Sequence, residues 1–187
     1  MEKINKTFIL IRNIASAIIA VIILGVVGYF MYQSYFGDRV IKSKNGFFQI
    51  SVPNKMGFEE DKNEENELAL YDEETDIGLW VGAYEINKET DFAVEVQKER
   101  DNVAENPEIE GGVRSKVSEV RKISVGKKDA YVYDFIFTDE ENSYFIYLFY
   151  IRGDYGEYYL DFECAANLKT DNLKIIEKIA KSFKELK

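Results

Sequence analysis

An uncharged stretch, NIASAIIAVIILGVVGYFMYQSYFG, runs from Asn13 to Gly37, and no other feature restricts this chain more. About 20 apolar residues of helix cross a hydrocarbon core of roughly 30 Å, so the stretch is long enough to span a bilayer. A secretion signal carries a shorter apolar region, of about 7–15 residues, closed by a small-x-small cleavage site. Here the run continues through Val26, Val27, Tyr29, Phe30 and Met31 into a bulky aromatic end. Tyr29, Tyr32, Tyr35 and Phe36 suit an interfacial belt, and no cysteine follows directly for lipid attachment. The sequence therefore predicts an uncleaved signal anchor over 13–36, after a short cytoplasmic segment at 1–12. A linker at 37–46 then leads to a domain over 47–187, with the lipid bilayer as first partner.

Lys3, Lys6 and Arg12 precede the run and Arg39, Lys42 and Lys44 follow it, so charge alone does not orient it. A short basic start before a first apolar segment leaves the amino end in the cytoplasm. The expected topology is single-pass in the cell membrane, with the C-terminal domain outside.

The chain has 24 Lys+Arg against 34 Asp+Glu, a net charge of −10. Such a surface repels phosphate backbones, so no nucleic-acid partner is expected. It also repels anionic headgroups, so the domain should stand off the bilayer. There are no histidines, which removes the commonest general base and transition-metal ligand together. Cys164 is the only cysteine, so neither an intramolecular disulfide nor a Cys/His zinc site can form. The apolar core has to hold the domain by itself.

The body reads as alternating strands with two helices. Phe47–Pro53 is a first strand; Glu59–Glu67 is a solvated acidic segment. Leu68–Asp72 and Ile77–Ile86 form a hairpin across DEET. Thr90–Pro107 is a helix capped by Thr90 or Asp91, with Phe92, Val96 and Val103 on one face, stopped by Pro107 and EGG. Lys116–Val125 is an edge-like strand. Ala130–Thr138, Ser143–Arg152 and Glu157–Cys164 are long strands joined by tight turns. A final helix runs from Thr170 or Asp171 to about Leu186, with Leu173, Ile176, Ala180 and Phe183 as its buried stripe. This order predicts an α+β domain, an antiparallel sheet flanked by helices.

The opening strand, Phe48-Gln-Ile-Ser-Val-Pro53, and the closing IIEKIAKSFKEL, with Ser182 and Phe183, resemble the PsbP-like superfamily. That family opens on an F-x-[IV]-x-[VIL]-P strand and ends in a helix finishing in SF. The resemblance spans Phe47 to Lys187. It departs after the proline, where the family often has a tryptophan and this chain has NKMGF, ending in Phe58. The resemblance implies an αβα sandwich; together with the apolar run and a composition rich in Lys, Glu, Asn and Ile it marks the chain as a membrane-anchored bacterial member. It also implies a binding or accessory module: the superfamily includes photosynthetic accessory subunits, bacterial envelope lipoproteins and protein-binding domains. It carries over no catalytic residue.

Two acidic turns, Asp72 to Asp76 and Asp139 to Glu141, are the first candidates for a ligand, as a small-ligand or cation site. Their spacing does not match the twelve-residue calcium loop, and they read as solvated turn residues. A paired-carboxylate hydrolase needs two carboxylates across a cleft, and no pattern marks one. VGKKD at Val125–Asp129 lacks the other glycine of a phosphate loop. Cys164, in register with Tyr158, Leu160 and Phe162, reads as a buried filler. Neither a cofactor nor a metal is called for, and the chain is read as a non-enzyme. Aromatics with polar tips concentrate at interfaces. Trp80, Tyr84, Tyr155 and Tyr159 are therefore the candidate recognition surface for an envelope protein.

Overall fold

The computed structural model describes residues 2–60, 67–86, 90–109 and 111–186. Most of the acidic segment after Glu59 lies outside that set, as does Glu110 of EGG. Helix α1 spans Glu2–Phe36. Its Ile18–Tyr35 stretch is long and apolar enough to cross a membrane and has no buried residue. Ile and Val side chains turned outward along Ile18–Tyr35 suit lipid rather than water.

The remaining elements form the domain. They are β1 (Asp38–Lys42), β2 (Phe48–Pro53), β3 (Glu59–Glu60), β4 (Leu68–Asp72), β5 (Ile77–Tyr84), α2 (Phe92–Glu105), β6 (Glu108–Ile109), β7 (Gly112–Ser115), β8 (Arg121–Val125), β9 (Lys128–Thr138), β10 (Ser143–Arg152), β11 (Glu157–Ala165), α3 (Lys169–Lys181) and β12 (Lys184–Glu185). One sheet runs β3-β4-β5-β11-β10-β9-β7-β6, with β8 also paired to β9. A small sheet has the order β1-β2-β12.

Strand alternation splits the apolar residues between the two faces of the large sheet. Leu79, Val81, Val132, Phe149, Leu160 and Phe162 face the small sheet and α3, where Phe48, Ile50, Ile176 and Ile179 complete the larger core. On the opposite face Tyr133, Phe135 and Ile146 meet Phe92, Val96 and Val103 of α2. The result is an αβα sandwich, as expected. Asp91 caps α2 by accepting the Ala93 N–H at 2.9 Å. Cys164 is buried in the larger core, where desolvation pushes its thiol pKa up.

Four expectations need correction. The stretch read as a linker at 37–46 contains strand β1. The strand expected over Lys116–Val125 forms only at its end, as β8 (Arg121–Val125), while a separate strand, β7, precedes Lys116; the two lie against different parts of β9. Lys116 adopts φ 54°, which breaks the extended path. The loop after it is fastened by Ser118 N–H to the Asp134 carbonyl at 2.8 Å. The strand expected to reach Ile86 ends at Tyr84.

The final helix stops at Lys181, short of Leu186. Ser182 Oγ bonds the Ile179 carbonyl at 2.6 Å and receives the Ser51 N–H at 2.7 Å, a competition that disfavours further helix. Phe183 then enters the core against Phe48, ring centroids 5.5 Å apart. Residues 184–185 become a strand on β2. Of the expected stripe, Leu173 is only half-buried, while Ile179, not anticipated, is fully buried.

Candidate functional site

Helix α2 covers only the β9–β10 side of its sheet face. The rest of that face is a grid of side chains set by strand register. Across β5, β11 and β10 the rows are Tyr84–Glu157–Arg152, Gly82–Tyr159–Tyr150, Trp80–Asp161–Leu148 and Gly78–Glu163–Ile146.

The glycines make this surface. A Cβ on Gly82 would lie 1.9 Å from Tyr159 Cε1, and one on Gly78 would lie 2.4 Å from Trp80 Cη2. Both rings therefore lie along the sheet over a bare backbone. Tyr159 is also stacked on Tyr84, centroids 5.5 Å apart at 21°, so it has little room to yield. Gly82→Ala is expected to lower stability by about 1–3 kcal/mol through overpacking, measured by urea unfolding. A loss below about 0.5 kcal/mol would mean the ring moves freely.

Between this surface and α2 lies a cleft of about 470 Å³. Phe92, Leu148, Tyr150, Tyr84 and Tyr159 supply its apolar and aromatic lining. Its acidic lining residues are Glu95, Glu99, Glu157 and Asp161. Arg152 pairs with Glu157, lies 3.7 Å from Glu95, and holds its guanidinium 4.6 Å from the centre of the Phe92 ring. Asp161 stands apart from that network. Its Oδ1 is sealed from solvent and has no hydrogen-bond partner. Burial, with Glu163 adding repulsion, pushes its pKa up to about 7. Burial also holds the Tyr133 and Tyr159 phenols up at about 12 and drives Tyr150 higher still. All three are neutral near pH 7, and Tyr133 and Tyr150 place their hydroxyls 3.4 Å apart.

A hydrolase of the paired-carboxylate kind would take Asp161 as its acid. Its second carboxylate would have to be free to activate water; Glu95 and Glu157 are both engaged by Arg152, which leaves Glu99, an exposed residue of α2, as the remaining lining carboxylate.

A second hollow of about 320 Å³ lies across Tyr84, lined by Phe47, Tyr155, Tyr158 and Leu186 among others. Tyr84, Tyr155 and Phe47 are 64, 60 and 55% exposed. Tyr155 sits on the β10–β11 turn, which Glu185 clamps: its carboxylate accepts the N–H groups of Asp154, Tyr155 and Gly156 at 2.7, 2.8 and 3.2 Å. Of the four aromatics singled out from sequence, Tyr84, Tyr155 and Tyr159 come together around these hollows. Trp80 lies beside Asp161 but lines neither of them. Asp161 and Glu185 were missed. The alternation does put Asp161 on the polar face of its strand. That it would be sealed there depends on which strands flank it.

The acidic turns are structural and only in part solvated. Asp72 is 1% exposed, and its Oδ2 caps the turn through the N–H of Thr75 at 2.9 Å. Asp76 accepts Tyr71 Oη at 2.9 Å and the Ala165 N–H at 3.2 Å. Asp139 accepts the N–H groups of Glu141 and Asn142. Among the described residues no group of three or more acidic, histidine or cysteine side chains is placed to hold a metal ion.

No family model and no curated protein matches this sequence. Solved structures do. A cyanobacterial PsbP from Synechocystis aligns over 80% of this chain and 92% of its own, with TM-score 0.58 and 10% identity. The domain has the PsbP-like fold. A Mog1 variant aligns over 79% of this chain and 95% of its own, with TM-score 0.54 and 11% identity. LpqN of Mycobacterium tuberculosis, described as involved in cell envelope biogenesis, aligns over 80% and 91%, with TM-score 0.54 and 7% identity. At these identities the likeness extends to the fold alone.

Proposed function

We propose that this chain is a single-pass membrane protein whose PsbP-like domain works outside the cytoplasm as a non-enzymatic module that binds an envelope protein. The observation that carries this reading is the exposure of Tyr84, Tyr155 and Phe47 around one hollow. Aromatic rings with polar tips, held on rigid strands and a clamped turn, are the usual anchors of a recognition surface. The apolar, unburied Ile18–Tyr35 helix supports retention at the membrane. The envelope role attributed to LpqN supports the compartment.

The test uses the tagged full-length protein in intact cells. Protease added outside is expected to remove the domain, and crosslinking is expected to recover an envelope protein. The double variant Tyr84→Ala, Tyr155→Ala should reduce that recovery at least about tenfold. Protease protection, or recovery of cytoplasmic proteins only, would overturn the topology.

A further inference from the structure

We infer that the cleft between α2 and the sheet binds an organic cation, an alkylammonium or guanidinium group carried on an apolar stem. This goes beyond the envelope-partner reading and stands without it, since it rests on the cleft alone.

Among the lining residues every charged side chain is a carboxylate. Arg152, just outside, offsets Glu95 and Glu157, which leaves the negative charge of Glu99 and Asp161 without a cation partner among the described residues. Asp161 carries the argument furthest. A carboxylate with a sealed oxygen and no donor is costly to keep in a fold, and this one forms part of the cleft's wall. A ligand that supplied positive charge there would relieve that cost.

The rest of the lining selects the kind of cation. Calcium or magnesium needs several converging oxygens and keeps its water, and such a cluster is absent among the described residues. Tyr84, Phe92, Tyr150 and Tyr159 instead offer ring faces and edges, which attract organic cations and pack an alkyl stem. A volume of about 470 Å³ accommodates a small molecule or one long side chain. A free diamine and a lysine or arginine side chain of another protein present the same chemistry.

The experiment is calorimetric titration of the full-length chain in detergent micelles. Cadaverine represents the free amine and N-acetyl-lysine methylamide represents a protein side chain. Trp80 is the only tryptophan and faces Asp161 across the register, so its emission gives a second readout. Saturable binding of either probe with Kd below about 10 mM is expected. It should weaken at least about tenfold in Asp161→Asn and about threefold in Glu99→Gln. Glu99 is exposed on the helix, so its variant keeps the test valid if Asp161→Asn does not fold. Tighter binding of cadaverine assigns a free amine, and tighter binding of the blocked lysine assigns a basic side chain. No binding by either probe overturns the inference. So does affinity unchanged in both variants, or calcium binding tighter than both amines.

Discussion

Glu185→Ala is expected to lower the stability of the domain by about 3–5 kcal/mol, the cost of removing one member of a buried charged network. The side chain is 5% exposed. Besides the three turn N–H groups it accepts Tyr158 Oη at 3.0 Å and lies 3.3 Å from Lys128 Nζ. Gly153 makes this approach possible, because a Cβ there would fall 2.2 Å from Glu185 Oε1. Burial acts to raise the Glu185 pKa. The bonds from Asp154, Tyr155, Tyr158 and Lys128 outweigh it and hold the carboxyl below its ordinary value. A depressed carboxylate contributes stability that is present above the unfolded pKa and is lost as pH falls through the folded one. The deficit of Glu185→Ala should therefore be full at pH 7 and shrink in acid. Urea unfolding followed by Trp80 emission measures it, and a deficit under about 1 kcal/mol at pH 7 would refute the clamp. Because the clamp holds the turn that bears Tyr155, partner capture should weaken with it.

Asp161→Asn is expected to act in the opposite direction. The folded-state pKa of Asp161 is raised, to about 7 from 3.8. Between those values the unfolded chain holds fewer protons than the folded one, so stability falls as pH rises through that window. Below it the carboxyl is protonated in both states and costs nothing. The asparagine variant should match wild type near pH 4 and exceed it by about 2–4 kcal/mol at pH 8, on the scale of 1.36 kcal/mol per unit. Unfolding curves collected from pH 4 to pH 8 decide this, and parallel profiles for the two proteins would exclude a buried charge at this position. A more stable variant that has lost the amine would separate the function of Asp161 from any role in holding the fold.

Local patterns were enough for much of this protein. An apolar run of spanning length is a one-dimensional property, and so is the period-two alternation of Ala130–Thr138 or Glu157–Cys164. The cap at Asp91, the α2 face of Phe92, Val96 and Val103, and the short turns of β9–β10–β11 depend only on neighbours in the chain. The α+β class follows from their order, the αβα sandwich from the PsbP-like resemblance of the first strand and the closing SF, and the prominence of Tyr84, Tyr155 and Tyr159 from residue chemistry.

Pairing between distant segments decided the rest. Residues 184–185 leave the helix because Ser182 bonds Ser51 and Phe183 finds Phe48, contacts that no local period encodes. Glu185 reaches a turn about thirty positions away. Asp161 has one carboxylate oxygen sealed only when register sets it between Trp80 and Leu148. A charged residue on a strand looks the same in sequence whether water or a ring lies over it, and desolvation depends on what the rest of the chain places there.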